Sequence, residues 1–375
     1  MSKPKICLVM IVKDEENVIE RCLTALKPNV DCYAIMDTGS TDETKSIIKK
    51  TMEGVRGKIY DMPFHSFAVN RSRVMSLARQ DFPEMDYQLM IDADDTWTVP
   101  EDFEWPKDMT HAAYHIRHTM GGAAWTRPAL MQTSMPWIYH GAAHEHIECA
   151  VRHQIGGVIE GPVIKCGSDG SRRVKEGQNK YKRIAGVLEK ELAKDPRNKR
   201  NVFYLAQSWR DAGDPVKAIM YYTKRAEMGG WHEEVWNAKY EIARIIERLG
   251  RPIDEIAKAY LEAYNTRPQR AESLYALAYA CRRKGEFNMA FLYASAARQI
   301  PRPKDILFVN ESVYTWRALD EFCVAASKIG FYEEGKEAAM QLLSNPGLPE
   351  NHRPRVLANL NYCKGKLGEP VEEEK

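Results

Sequence analysis

No run of 18 or more apolar residues occurs in the chain, so no segment reads as a membrane-spanning helix. The first residues offer only a strand-length apolar stretch, with Lys-Asp-Glu-Glu directly behind it at 13–16, unlike the cleavage region of a secretory signal. A cytosolic location is the expectation. There is also no CxxC pair: the eight cysteines, Cys7, Cys22, Cys32, Cys149, Cys166, Cys281, Cys323 and Cys363, are scattered without paired spacing. That leaves no basis for a disulfide framework or a thiolate zinc site, and the cysteines read as small buried apolar residues.

What remains is ordinary globular composition, 44% hydrophobic and 28% charged over 375 residues, too long for one core and therefore read as two domains. The net charge of +2 conceals an asymmetry. Residues 1–165 hold 18 Lys and Arg against 23 Asp and Glu, residues 166–284 hold 25 against 16, and residues 285–375 hold 11 against 13. The basic middle segment suits a polyanion, although a basic helix face is also common as plain solvated surface.

Hydrophobic patterning alternates strands with helices in the first half. Residues 5–12 (KICLVMIV), 31–36 (DCYAIM), 58–61 and 87–91 (YQLMI) read as strands, and residues 15–26, a segment ending near 50, and 71–79 read as helices. This order predicts a mainly parallel sheet with its ligand crevice beyond the carboxyl ends of the strands. The fourth strand runs straight into Asp92-Ala93-Asp94-Asp95, which places that acidic cluster in the crevice. From about residue 177 the pattern becomes helical throughout. Turn glycines fall at Gly213, Gly250, Gly285 and Gly330, and LAQSWRDAGDPVKAIMYYTKRA aligns with YALAYACRRKGEFNMAFLYASAA. That register resembles the tetratricopeptide repeat and predicts about four helix pairs.

Four stretches in order, MIVKDEENVIERCL, MDTGSTDET, FAVNRSRVMSLA and MIDADD, resemble the family 2 glycosyltransferases of the GT-A fold over about residues 5–100. The resemblance implies an α/β plus all-α protein. A GT-A type, Rossmann-like nucleotide-sugar domain over 1–170 is followed by a tetratricopeptide-like domain over 171–368 and a frayed acidic tail over 369–375. It further implies a donor pocket in which Asp92, with Ala93, faces the ribose and Asp94 binds a metal with Asp92. Asp37 accepts from the nucleotide base, Val12 and Glu15 form the other side of that pocket, and Arg71 lies near the base or phosphates, with Arg73 as its substitute. Asp37 can equally be a turn aspartate holding Gly39 and Ser40. Many members carry Asn where Asp14 stands. The chemistry is consistent: breaking the bond between sugar and diphosphate leaves extra negative charge that a divalent cation neutralises, and carboxylate oxygens suit Mg2+ or Mn2+.

Further along, WTRPALMQTSMPWIYHGAAHEHIECA resembles an acceptor-side stretch of some relatives. His144 is then a metal or diphosphate ligand, and Glu145 the general base that deprotonates the acceptor hydroxyl. A structural His-Glu pair is the plain alternative. A zinc site from His140, His144 and His146 lacks the regular helix that a two-histidine motif needs. Asp169, in GSDGSRR, is the rival base, with Arg172 and Arg173 beside it as phosphate ligands. His111, His115 and His118 read as structural.

The leading expectation is a metal-dependent, inverting transferase moving a sugar from a nucleoside diphosphate, UDP-glucose or similar, to an acceptor hydroxyl oriented by the repeats. DNA carrying hydroxymethylated bases is narrowly preferred as acceptor, with phosphate contacts from Arg172, Arg173, Lys180, Lys182 and Arg183. A surface glycan precursor or a protein is the alternative. A non-catalytic repeat scaffold is the rival class. A nucleotidyltransferase would want a glycine-rich phosphate loop near the first strand, and MIVKDEEN contains no glycine.

Overall fold

A computed structural model of the chain describes residues 3–371, except 121–122, 142, 144 and 171–178. The chain divides into two compact units, Met1–Glu191 and Leu192–Lys375.

The first unit is built on strands β1 (Ile6–Val12), β2 (Cys32–Asp37), β3 (Arg56–Asp61) and β4 (Tyr87–Met90), with helices α1 (Ile19–Leu26), α2 (Thr44–Thr51) and α3 (Phe67–Asp81) between them. Strands β3, β2, β1 and β4 lie side by side and parallel. The sequence ICLVMIV makes β1 central because every residue is buried, as a strand covered on both faces requires. Ile6, Leu8, Met10 and Val12 pack with Ile19, Leu23 and Leu26 of α1 and Ile48 of α2. Cys7, Val9 and Ile11 face the other way, against Val74, Met75 and Ala78 of α3. The Ser66 hydroxyl caps α3 by accepting from the Val69 amide at 3.2 Å.

The sheet continues with β5 (Thr96–Thr98), β6 (Ala113–Met120), β7 (Ala123–Gln132) and β10 (Ile155–Lys165), in the order β3-β2-β1-β4-β7-β6-β10-β5. Here the parallel pattern breaks, since β7 runs antiparallel to both β4 and β6. The β6–β7 ladder also carries a bulge: Tyr114 lies opposite Leu130 but His115 opposite Pro128, leaving Ala129 as the extra residue. Proline, which has no amide proton to donate, is tolerated at such a break. A separate hairpin, β8 (Trp137–His140) with β9 (His146–Cys149), carries the His-Glu stretch. Strands therefore stand where a two-histidine zinc motif would need a helix.

The described helices that follow are α4 (Asn179–Lys194), α5 (Lys199–Asp211), α6 (Pro215–Glu227), α7 (His232–Arg248), α8 (Ile253–Thr266), α9 (Glu272–Arg283), α10 (Phe287–Arg298), α11 (Ala318–Ile329), α12 (Tyr332–Ser344) and α13 (Arg353–Leu367). Four antiparallel pairs, α5/α6, α7/α8, α9/α10 and α11/α12, are each turned by one of the four expected glycines. Gly213, Gly250, Gly285 and Gly330 have φ of 79°, 70°, 83° and 90°, the left-handed conformation in which a Cβ is costly. After Gly213, the Asp214 carboxylate accepts from the Lys217 amide at 2.9 Å and Pro215 opens α6, so Gly-Asp-Pro spells a complete stop and start. Buried ion pairs tie the repeats: Arg270, fully buried, reaches both Glu272 and Asp305. At the end of the described chain, Glu369 pairs with Lys336 at 2.6 Å.

Candidate active site

The carboxyl ends of β1 and β2 are laced together by short polar side chains. Asp14 sits at φ 53°, a left-handed position that Asp and Asn tolerate best among residues with a side chain. Its carboxylate accepts from the Thr41 amide at 2.8 Å, while its own amide donates to the Ser40 hydroxyl at 2.9 Å. The Glu15 amide donates to the Thr44 hydroxyl at 2.7 Å. Val12 stands beside Asp37 in the ladder, and its carbonyl accepts from both the amide and the hydroxyl of Thr38. Asp37 is buried, and its two oxygens accept from the Gly39 amide, the Ser40 amide and the Ser40 hydroxyl. This is the geometry of a turn aspartate. The turn nonetheless borders a cleft of about 310 Å³ lined by Asp37, Ser40, Lys45, Asp61, Met62 and Pro63.

Beyond β4 the acidic cluster gathers around three arginines. Arg71, on α3, donates from Nη2 to Asp92 at 2.6 Å and from Nη1 to Glu145 at 3.0 Å. The rings of Phe67 and Tyr139 lie 5.4 and 5.7 Å from its guanidinium carbon. Burial opposes the Asp92 charge, but Arg71 and then Arg127 outweigh it and hold the carboxyl below its usual range. Ala93 is buried between the aspartates. Asp95 is buried too; its Oδ1 accepts from the Gly167 amide at 3.0 Å, and its Oδ2 is buried without a hydrogen-bond partner. Burial and the charge of Asp92 push Asp95 up to about 7.

Arg21, on α1, donates to both carboxylate oxygens of Asp169, at 2.7 and 3.1 Å, and to the Asp94 carbonyl at 2.9 Å. That bidentate pair holds Asp169 below the usual carboxylate range. The glycines of the Asp169 loop are there for close approach: a Cβ at Gly167 would lie 1.9 Å from the Asp94 carbonyl oxygen, and one at Gly170 would lie 2.9 Å from its carboxylate. His144, Arg172 and Arg173 lie outside the described residues.

Residues 7–104 match the family described as Glycosyl transferase family 2. The first unit carries a family 2 glycosyltransferase domain. The chain is also similar to a TPR repeat-containing protein of Synechococcus elongatus, 25% identical over 314 residues that cover 79% of this chain and 74% of that protein. Among solved structures, similarity extends to BtubC from P. vanneervenii at TM-score 0.40 and 15% identity, over 52% of this chain and 85% of that one. It extends likewise to YrrB, titled a TPR protein with an unusual peptide-binding site, at TM-score 0.38 and 14% identity, over 49% and 85%.

In this glycosyltransferase domain the described side chains divide into two groups. Asp92, Arg71 and Glu145 form one connected set, and Asp94 and Asp95 join it through the chain. The Asp169 loop joins the same group through Arg21, which bonds both Asp169 and the Asp94 carbonyl, while Val12, Glu15 and Asp37 form the second group, at or just beyond the ends of β1 and β2. Among the described residues no three His, Cys, Asp or Glu side chains converge tightly enough to cage an ion alone. The donor set still fits a hard divalent cation, because such ions bind through one or two carboxylates and complete their shell with substrate phosphates and water, and the Asp95 Oδ2 is a buried oxygen lacking a donor. Sequence patterning missed Arg21, Arg127 and Tyr139. Arg21 lies within the first matching stretch, but helical spacing of the apolar residues around it says nothing of a partner as distant as Asp169.

Among the described residues no helix is long and apolar enough to cross a membrane.

Proposed function

We propose that the protein transfers a sugar from a nucleoside diphosphate sugar, UDP-glucose or a close relative, to an acceptor hydroxyl, with inversion and in the cytosol. The observation that carries this reading is the Arg71 bridge, which fixes Asp92 of the family motif and Glu145 of the later hairpin within one guanidinium. In this reading the ribose lies against Asp92 and the base against Val12, Glu15 and Asp37. Glu145 takes the proton from the acceptor hydroxyl, whose oxygen attacks the anomeric carbon as the bond to the diphosphate breaks. Asp169 is the weaker candidate for the base because Arg21 engages both of its oxygens. A Mn2+ or Mg2+ ion held by Asp94, with Asp92 and His144, would neutralise the charge gathering on the diphosphate.

For the acceptor we propose a hydroxyl of a glycan precursor or a protein, oriented by the helical repeats. Several arginines of the basic segment are engaged by carboxylates rather than presented to a polyanion, as with Arg210, Arg225, Arg244, Arg270 and Arg282. DNA with hydroxymethylated bases is the second reading, favoured by the basic side chains at the start of the helical segment, Lys180, Lys182 and Arg183 among them. Binding that weakens steeply with added salt would select DNA.

The deciding experiment is calorimetric titration of the full chain with UDP, with and without Mn2+, repeated on Asp94→Ala. Metal-dependent binding that disappears in the variant supports the donor site. Absence of binding to UDP, GDP and CDP alike overturns the transferase reading in favour of a repeat scaffold.

A further inference from the structure

Strand β7 lies antiparallel to β4, with Leu89 opposite Leu130, so the earlier residues of β7 extend past the carboxyl end of β4 towards Asp92. Side chains alternate between the faces of a strand, and one extra residue exchanges the faces of everything beyond it. In a regular ladder continued from Tyr114 and Leu130, Arg127 would stand opposite Arg117, cation against cation. The bulge at Ala129 moves Arg127 opposite Ile116 instead, onto the face that also bears His118.

His118 is fully buried. Its Nδ1 lies 2.9 Å from the Ile116 carbonyl oxygen, which can only accept, so Nδ1 carries the proton and Nε2 is left as an acceptor. The Arg127 Nε donates to that atom at 2.9 Å. Burial, and after it the charge of Arg127, push His118 down to about 4, so the imidazole stays neutral and the acceptor persists near neutral pH. The Trp125 ring stacks over the imidazole at 6.0 Å between centroids.

With Nε fastened, the guanidinium stays close enough to the acidic cluster for its charge to help hold Asp92 below its usual range and to offset part of the rise that burial imposes on Asp95 and Tyr139. Arg71 and Arg21 stand at the same cluster but are already engaged by carboxylates. Arg127 is exposed, and among the described residues no carboxylate pairs with it. Its two terminal nitrogens form a planar donor pair of the kind that matches phosphate oxygens.

We infer that Arg127 binds the diphosphate of the nucleotide donor and that His118 is the positioning residue that holds it there. The inference rests on the nucleotide-sugar reading. Bound to the diphosphate, the guanidinium faces the negative charge that grows there as the sugar leaves.

The test compares UDP with uridine, which lacks both phosphates, on the full chain with Mn2+, using calorimetry for UDP and ligand-observed NMR for uridine. Arg127→Gln is expected to weaken UDP binding at least about tenfold, the scale of a lost hydrogen bond to a charged group, while uridine binds as before. His118→Phe should weaken UDP binding by a smaller factor, again sparing uridine. His118→Gln, whose amide keeps a donor and an acceptor, should recover most of the loss. Wild-type affinity for UDP in Arg127→Gln overturns the inference, as does an equal loss for UDP and uridine, which would mark a merely structural effect. A wild-type protein that binds no nucleoside diphosphate overturns the nucleotide reading as well. Loss of binding in Asp94→Ala alone leaves that reading standing and removes Arg127 from it.

Discussion

The guanidinium of Arg71 holds Asp92 and Glu145 at once, 2.6 Å from one and 3.0 Å from the other. Two carboxylates from distant parts of the sequence, one after β4 and one before β9, are thereby fixed relative to each other by a single planar group.

Removing that group leaves both acids without the cation that bridges them. Arg71→Ala should cost about 2 to 3 kcal/mol, at or below the low end for an orphaned buried charge because Asp92 retains 35% of its side-chain exposure. Arg71→Lys should recover little, since one ammonium cannot reproduce a two-pronged contact. Urea unfolding of the three proteins checks this; a wild-type midpoint for Arg71→Ala would refute it.

Glu145→Gln keeps the size and the hydrogen-bonding reach of the side chain but removes its basicity. UDP affinity should change little while transfer slows about a hundredfold or more, read from initial rates at saturating donor. If Asp169→Asn produces that slowing and Glu145→Gln does not, the base is Asp169.

His118 makes the first unit sensitive to acid. Its folded pKa, about 4, lies below the ordinary 6.5, so the unfolded chain takes up the proton first and stability falls as pH drops from 6.5 towards 4. The contribution present at pH 7 should shrink by about 2 kcal/mol at pH 5. In His118→Phe that part of the acid sensitivity should vanish. Unfolding midpoints at the two pH values give the comparison, and an unchanged pH slope in the variant would exclude His118 as its source.

A methyl group at residue 167 tests the contact between the Asp169 loop and the acidic cluster. The Cβ of Gly167→Ala would fall 1.9 Å from the Asp94 carbonyl, so the backbone of one loop must move, at a cost of about 1 to 3 kcal/mol. Metal-dependent UDP binding should weaken with it. Gly157→Ala, which meets nothing within 4 Å, is the control and should behave as wild type in both calorimetry and thermal unfolding.

The parts of this architecture that were legible in the sequence are those dictated by local rules. Continuous burial of ICLVMIV, the strand that ends in Asp92, and the glycines at 213, 250, 285 and 330 each follow from periodicity or from a backbone angle that only glycine adopts cheaply. The sequence reading expected a mainly parallel sheet, and that holds from β3 to β4. It breaks at β7, antiparallel to both β4 and β6, and again at β5, while β6 and β10 pair parallel; such reversals of direction leave no mark on composition. Partner choice was equally hidden. WTRPALMQ carries one sign of a break, Pro128, but none that Ala129 is the extra residue, and so no sign of which face receives Arg127. His118 reads as structural from its apolar neighbours, and its contacts with Ile116 and Arg127 became visible only when β6 and β7 were paired. Asp37 stayed open between base ligand and turn residue because its nearest donors, Gly39 and Ser40, lie within its own loop.

The bulge at Ala129 also sets a counting rule for change along β7. Deleting that one residue would make the ladder regular and leave Arg127 opposite Ile116, whereas straightening the strand with Ala129 in place would turn Arg127 towards Arg117 and away from His118. Adding one more residue between Arg127 and Leu130 would do the same, while a change nearer the strand's start lies beyond Arg127 and leaves it where it is. Length variation in this strand is therefore asymmetric: the bulged residue can be lost without reversing the outlook of the arginine, but a second one cannot be gained.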